Sequence, residues 1–307
     1  MTIRNFLAMG ICGVALIAVG CDDGSSTDGT AGSGGTGGSA QGGSGGAGGG
    51  QGGSGGQGGT GGGGDVANVR VAHLSSDAPA VDFCVSADDA KTFIGPVMGG
   101  VLGDADGLAF SEVTAYLQLP VATYTARLVA PGATNCDEAL AGLPDVTGLA
   151  VAKDGYYTVA AIGMLTPPQG AQAFQVKAYA DDGAVADGKA KLRFVHASAD
   201  TPNVDVGTGE GATFAAVFSD VAFGEVGKVG GKEYLETDPL AGVTLSARAT
   251  GTDADALVIK GVDLPAGAIA SAFAIGNLSG APSPLKVLIC VDNGAPKDNL
   301  TPCVIVP

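Results

Sequence analysis

The sequence predicts an all-β protein: two tandem β-sandwich domains behind a leader and a flexible tether. Three observations carry that. From Asp65 onward, short apolar runs are separated by Gly, Pro, Asp and Asn, as strands are separated by turns. The composition is rich in Ala, Val, Gly and Thr, without Trp and with few helix-forming runs. And one element occurs twice: residues 70–82 read RVAHLSSDAPAVD, and residues 193–205 read RFVHASADTPNVD. Arg70, His73, Ser75, Asp77, Pro79, Val81 and Asp82 return as Arg193, His196, Ser198, Asp200, Pro202, Val204 and Asp205, and the chain's only two histidines hold the same place in it. Seven or eight short strands per repeat suit an immunoglobulin-like sandwich.

The leader spans residues 1–21. Arg4 precedes an apolar run of about 14 residues, too short to span a bilayer and laid out as a secretory signal. Its end, Ala18-Val19-Gly20-Cys21, resembles the bacterial lipobox, in which signal peptidase II cleaves before a diacylated Cys; that pattern prefers Leu where Ala18 stands. The resemblance makes Cys21 the lipidation site and the membrane a partner through the anchor. It implies a cell-envelope location, lipid-anchored to the outer membrane of a Gram-negative bacterium. Asp22 follows, and in some bacteria that residue favours the inner membrane, so both membranes stay open.

Residues 22–64 are almost entirely Gly, Ser, Thr, Gln and Ala. Such a stretch cannot bury a core, and it predicts a disordered tether spanning about 36 Å root-mean-square as a flexible coil. Collagen is excluded by the absence of Pro and the broken register at Ser39-Ala40-Gln41.

The first repeat is placed at 65–185, with strands near 67–74, 80–86, 109–118, 121–130, 147–152, 156–163 and 173–180 and a brief helical turn at 137–143. The second is placed at 186–307, with strands near 190–197, 203–206, 213–218, 221–227, 242–249, 256–261, 268–276 and 284–291. Further recurrences tie them: Ala109-Phe110-Ser111-Glu112-Val113 with Ala222-Phe223-Gly224-Glu225-Val226, Ala161-Ile162-Gly163 with Ala274-Ile275-Gly276, and Asp181-Asp182-Gly183 with Asp292-Asn293-Gly294. The repeats are expected to be separate cores.

The twin element, with the later aromatic-x-x-Val strand and the strand ending Ile-Gly, resembles a bacterial envelope family known as domain of unknown function 4397. Members commonly open Arg-x-x-His-x-Ser-x-Asp-x-Pro-x-Val-Asp and often occur in tandem. The likeness covers residues 66–294. It implies a β-sandwich in an extracytoplasmic setting and brings no catalytic residues, because the family has no established activity.

Apart from Cys12 in the leader and Cys21, four cysteines remain: Cys84, Cys136, Cys290 and Cys303. An even number in an exported chain suggests disulfides, with three pairings open. Two per repeat favours Cys84–Cys136 and Cys290–Cys303. A zinc site would need close Cys/His pairs, and there is no C-x-x-C.

The formal net charge of −16 argues against nucleic acid, whose phosphates are held by Lys and Arg. His73, Ser75 and Asp77 lie within one strand and its turn, so they do not converge as a triad does. Alternation places Val69, Val71 and His73 on one strand face, and Leu192, Phe194 and His196 on its twin, which makes the histidines structural. The runs Asp104-Ala105-Asp106, Asp181-Asp182 and Asp253-Ala254-Asp255 read as solvated acidic turns; the first lacks the remaining ligands of a calcium loop. The reading is a non-enzymatic binding, adhesive or structural protein with no cofactor and no resident metal, its partners an envelope protein or glycan. The alternative is a divalent-metal-binding module, or a hydrolase of envelope or extracellular polymer.

Overall fold

The computed structural model describes residues 64–87, 92–140 and 143–306; the expected leader, Cys21 and the tether up to residue 63 lie outside the described residues. The first repeat holds β1 (Val66–His73), β2 (Asp82–Ala87), β3 (Glu112–Val113), β4 (Leu117–Pro120), β5 (Ala122–Val129), β6 (Val146–Val151), β7 (Tyr156–Ile162) and β8 (Gln175–Asp181). The second holds β9 (Ala190–His196), β10 (Val204–Thr208), β11 (Ala215–Val221), β12 (Leu235–Thr237), β13 (Leu240–Ala249), β14 (Asp255–Leu264), β15 (Ile269–Ile275), β16 (Lys286–Val291) and β17 (Cys303–Val306).

Each repeat folds as a large and a small sheet. The first has β3–β1–β7–β8, with β4 continuing along the β3 edge of β1, and β2–β5–β6. The second has β12–β9–β15–β16–β17 and β11–β10–β13–β14. In both large sheets the strand carrying the twin element runs parallel to the one ending Ile-Gly, β1 to β7 and β9 to β15. One apolar face of each large sheet packs on its small sheet: Val69 with Tyr124 and Val151 in the first repeat, Phe194 and Ile289 with Phe218, Ile259 and Val262 in the second.

Alternation gives the large sheets a second buried face. Ala72, Leu74, Ala160, Ile162 and Tyr179 of the first repeat form one cluster with Val195, Ala197, Phe273, Ile275 and Leu288 of the second. The described chain is therefore layered small, large, large, small, and the expectation of separate cores is corrected. Each fully buried Leu, Ile or Phe contributes about 1.5–3 kcal/mol, so this joint face is a large share of what holds either repeat. The tail reinforces it: Ala115 N–H donates to Asn299 O (2.7 Å) and Thr301 N–H to Val113 O (2.8 Å).

Other expectations shift in detail. The strand expected at 109–118 is two strands, β3 and β4, on one edge of β1, with the register slipping by one residue between Val113 and Leu117 and Thr114 still bonded to Val71. The expected strands 213–218 and 221–227 are one strand, β11, followed by a turn. No helix occupies the described part of 137–143, where Asp137 N–H instead closes onto Asn135 Oδ1 (3.0 Å). β12 and β17 are edge strands that composition did not announce. Disulfides join Cys84 to Cys136 and Cys290 to Cys303, the latter pair directly opposite each other on β16 and β17.

Candidate functional site: the twin element and the spaces beside it

The twin element points polar groups in two directions. On the inner face, His73 and His196 are 1% and 0% exposed. Each ring Nε2–H donates into its own turn, to Pro79 O (2.8 Å) and Pro202 O (3.1 Å), and each ring packs edge-on against the recurrent aromatic, Phe110 or Phe223. Burial pushes both imidazoles below the ordinary histidine pKa, which the carbonyl contacts only partly offset. The remaining Nδ1 atoms are buried without a hydrogen-bond partner among the described residues.

Asp77 and Asp200 fasten the turn to the loop after the Ile-Gly strand. Asp77 accepts from Leu165 N–H and Thr166 N–H (both 2.8 Å), and Asp200 from Leu278 N–H and Ser279 N–H (2.9 Å for the latter). Burial alone would raise these carboxyls, but the donors hold both below the usual range. Asp82 collects Met98 N–H (2.7 Å) and Gly99 N–H (2.8 Å), fixing the wide helical turn Val97–Leu102. Asp205 accepts from Asp220 N–H (2.8 Å) at the end of β11.

On the outer face lie Arg70 and Arg193, both fully buried between the repeats. Register explains their neighbours: Arg70 stands beside Thr158 across the parallel pair, Arg193 beside Ser271. Each Nε–H donates to that hydroxyl (2.9 and 2.7 Å). The ion pairs then cross between repeats, Arg70 Nη2 to Asp292 Oδ1 (2.8 Å) and Arg193 Nη2 to Asp181 Oδ1 (2.6 Å). Tyr116 and Tyr234 lie under the guanidiniums (4.8 and 5.2 Å to the ring centres) and donate to Asp181 and Asp292. Burial works against the arginine charge, and the aspartates outweigh it, so both guanidiniums are held firmly protonated. The arrangement has near two-fold symmetry, broken where Arg193 Nη1 reaches Ala180 O (3.2 Å) while Arg70 Nη1 has no hydrogen-bond partner among the described residues.

Asp253 is exposed and Asp182 partly so, as expected of solvated turns, but that reading is corrected for Asp181 and Asp255. The Asp181 side chain is wholly buried and Asp292 nearly so. Asp255 pairs with Arg248, which stacks on Phe214. Sequence reasoning missed Asp181, Asp292, Thr158 and Ser271 as partners of the arginines, although all four recur in step with the repeat. Among the described residues no three His, Cys, Asp or Glu side chains converge as metal ligands would.

The two sandwiches differ inside. In the second, Phe194 stacks on Phe218 (6.4 Å), and the space left between sheets is about 60 Å³. In the first, about 270 Å³ is left between the sheets, lined by Val69, Val71, Val85, Leu149 and Val159 among others.

No curated protein matches this chain. Among solved structures, a "putative cell adhesion protein" of Bacteroides fragilis NCTC 9343 matches 72% of this chain and 96% of its own at 9% identity, with a TM-score of 0.18, too low to bear on function. The family model for a domain of unknown function, DUF4397, matches residues 67–207, a span that holds both copies of the twin element.

Proposed function

We propose that the protein is a non-enzymatic, lipid-anchored envelope protein that presents one rigid two-repeat body on a flexible tether, for binding or adhesion to an envelope protein or glycan. The observation that carries this reading is what the twin element's polar side chains do. Arg70, His73, Asp77 and Asp82, with their twins, close turns or bond the repeats to each other. The residues most able to do chemistry serve the architecture instead.

Two measurements test it. Cys21→Ser should move the protein out of the membrane fraction and abolish labelling by a fatty-acid analogue; unchanged fractionation with no label in the parent would overturn the anchor. Purified protein should co-sediment with isolated envelope polymer without releasing soluble fragments. Release that disappears in a His73→Gln/His196→Gln variant would overturn the non-enzymatic reading.

A further inference from the structure

We infer that the first sandwich is a binding site for one small, uncharged aliphatic molecule, held between its two sheets. The inference goes beyond the display reading and does not depend on Cys21. It starts from the contrast between repeats built to one plan. The second repeat places Phe194 on β9 and closes its small sheet with β11, so about 60 Å³ stays empty. The first places Val71 at the position of Phe194, and where β11 would lie it has the segment through the wide turn Val97–Leu102. A smaller side chain and a missing edge strand together leave about 270 Å³.

The chemistry of the lining selects the ligand class. Val69, Val71, Val85, Leu149, Val151 and Val159 present methyl groups, and the Tyr124 hydroxyl is engaged with Pro120 O (2.8 Å). Among the described residues no charged side chain lines the space. Ile94 and Val101, also in the lining, are 66% and 63% exposed and so mark the mouth. Single exposed apolar residues are ordinary, but two at the opening of an apolar cavity form a continuous path inward. A purely apolar cavity stays dry rather than filling with water, and one of about 150 Å³ already admits benzene, so this one takes about ten carbons by proportion. The acidic surface disfavours a carboxylate head, and the described lining offers no carboxylate to pair with a cationic one, which leaves a neutral chain.

The test uses the full chain carrying Cys21→Ser, so that neither acyl groups nor detergent compete. It is titrated with 1-decanol and with decanoate by calorimetry and methyl NMR. One decanol per chain is expected, with shifts at Val69, Val85, Leu149 and Val159 and none at the methyls between β9–β15 and β13–β14. Decanoate is expected to bind at least tenfold more weakly. Val71→Phe, which copies the second repeat, should weaken decanol binding at least tenfold while melting no lower than the parent. Should Val71→Phe fail to fold, Ala126→Leu fills the same lining with a smaller increment and is read in the same way. No binding by the parent, shifts in the second sandwich, or undiminished affinity in a folded filled variant would overturn the site. Equal affinity for decanoate would overturn the neutral class.

Discussion

Arg70 and Asp292 are 222 positions apart in sequence and meet at 2.8 Å with both side chains shut off from solvent. The reciprocal pair, Arg193 with Asp181, makes the same contact in the other direction at 2.6 Å. A buried ion pair is weak evidence of net stabilisation, because desolvating two charges offsets much of their attraction. Losing one partner is another matter, since the remaining charge is stranded. Arg70→Met should therefore cost about 3–5 kcal/mol, whereas a well-packed apolar replacement of both Arg70 and Asp292 should cost far less. Hydrogen exchange should show protection falling in both repeats of Arg70→Met. Loss confined to the first repeat would contradict a joint core.

Acid should weaken the fold in two stages. The neutral, buried His73 and His196 have pKa values below that of an unfolded histidine, about 6.5. As pH falls through that value the unfolded chain takes up protons first. Their contribution is thus complete above about pH 6.5 and is lost as pH drops through the folded values. Asp77 and Asp200, held low by backbone donors, contribute above about pH 3.9 and lose that contribution below it. Melting curves from pH 8 to pH 3 should show both declines, and His73→Gln/His196→Gln should erase only the upper one.

The Ile-Gly strand endings admit no side chain. Gly163 and Gly276 have φ of 82° and 76°, and a Cβ there would sit 2.2 Å from Ala173 O and Pro284 O respectively. Backbone oxygens in a paired loop cannot yield as a side-chain tip would. Gly163→Ala or Gly276→Ala should each cost at least about 2 kcal/mol, read from urea midpoints. It should also loosen the loop that Asp77 or Asp200 clasps.

The two bridges close chain segments of different length, with separations of 52 and 13 residues. On the chain-entropy model, Cys84→Ala/Cys136→Ala should cost about 4 kcal/mol and Cys290→Ala/Cys303→Ala about 3. Denaturation of the two double variants beside the parent checks the order. Peptide mapping without reductant should recover only the two within-repeat links.

Much of the architecture was legible because strands alternate and the repeat announces itself. The face carrying Val69, Val71 and His73 reads directly as a core face. Its reverse does not. Ala72, Ala160 and Ala197 are small enough to look indifferent, yet small side chains are what let two sheets approach. Arg70, at a strand centre, looks like a solvated charge until its partner is known, and that partner lies in the other repeat. The pairing of Asp181 and Asp292 with arginines was readable only by aligning the repeats and asking which polar residues recur on the outer face. The cavity was out of reach for another reason. It arises from a volume lost at Val71 together with an edge strand that never forms, and neither leaves a motif.

The tail contact has a consequence for the order in which the molecule comes into being. Thr301 closes onto Thr114 across 187 positions, so the edge of β3 is finished by residues synthesised long after it. A ribosome delivers the first repeat long before the groups that complete it. Contacts of such separation form late, because the whole intervening loop must first be closed. Before β9 forms, Asp181 has Arg70, Tyr116 and Thr158 of its own repeat to bond, but not Arg193. The joint face and the edge of β3 are thus completed only once both repeats are present.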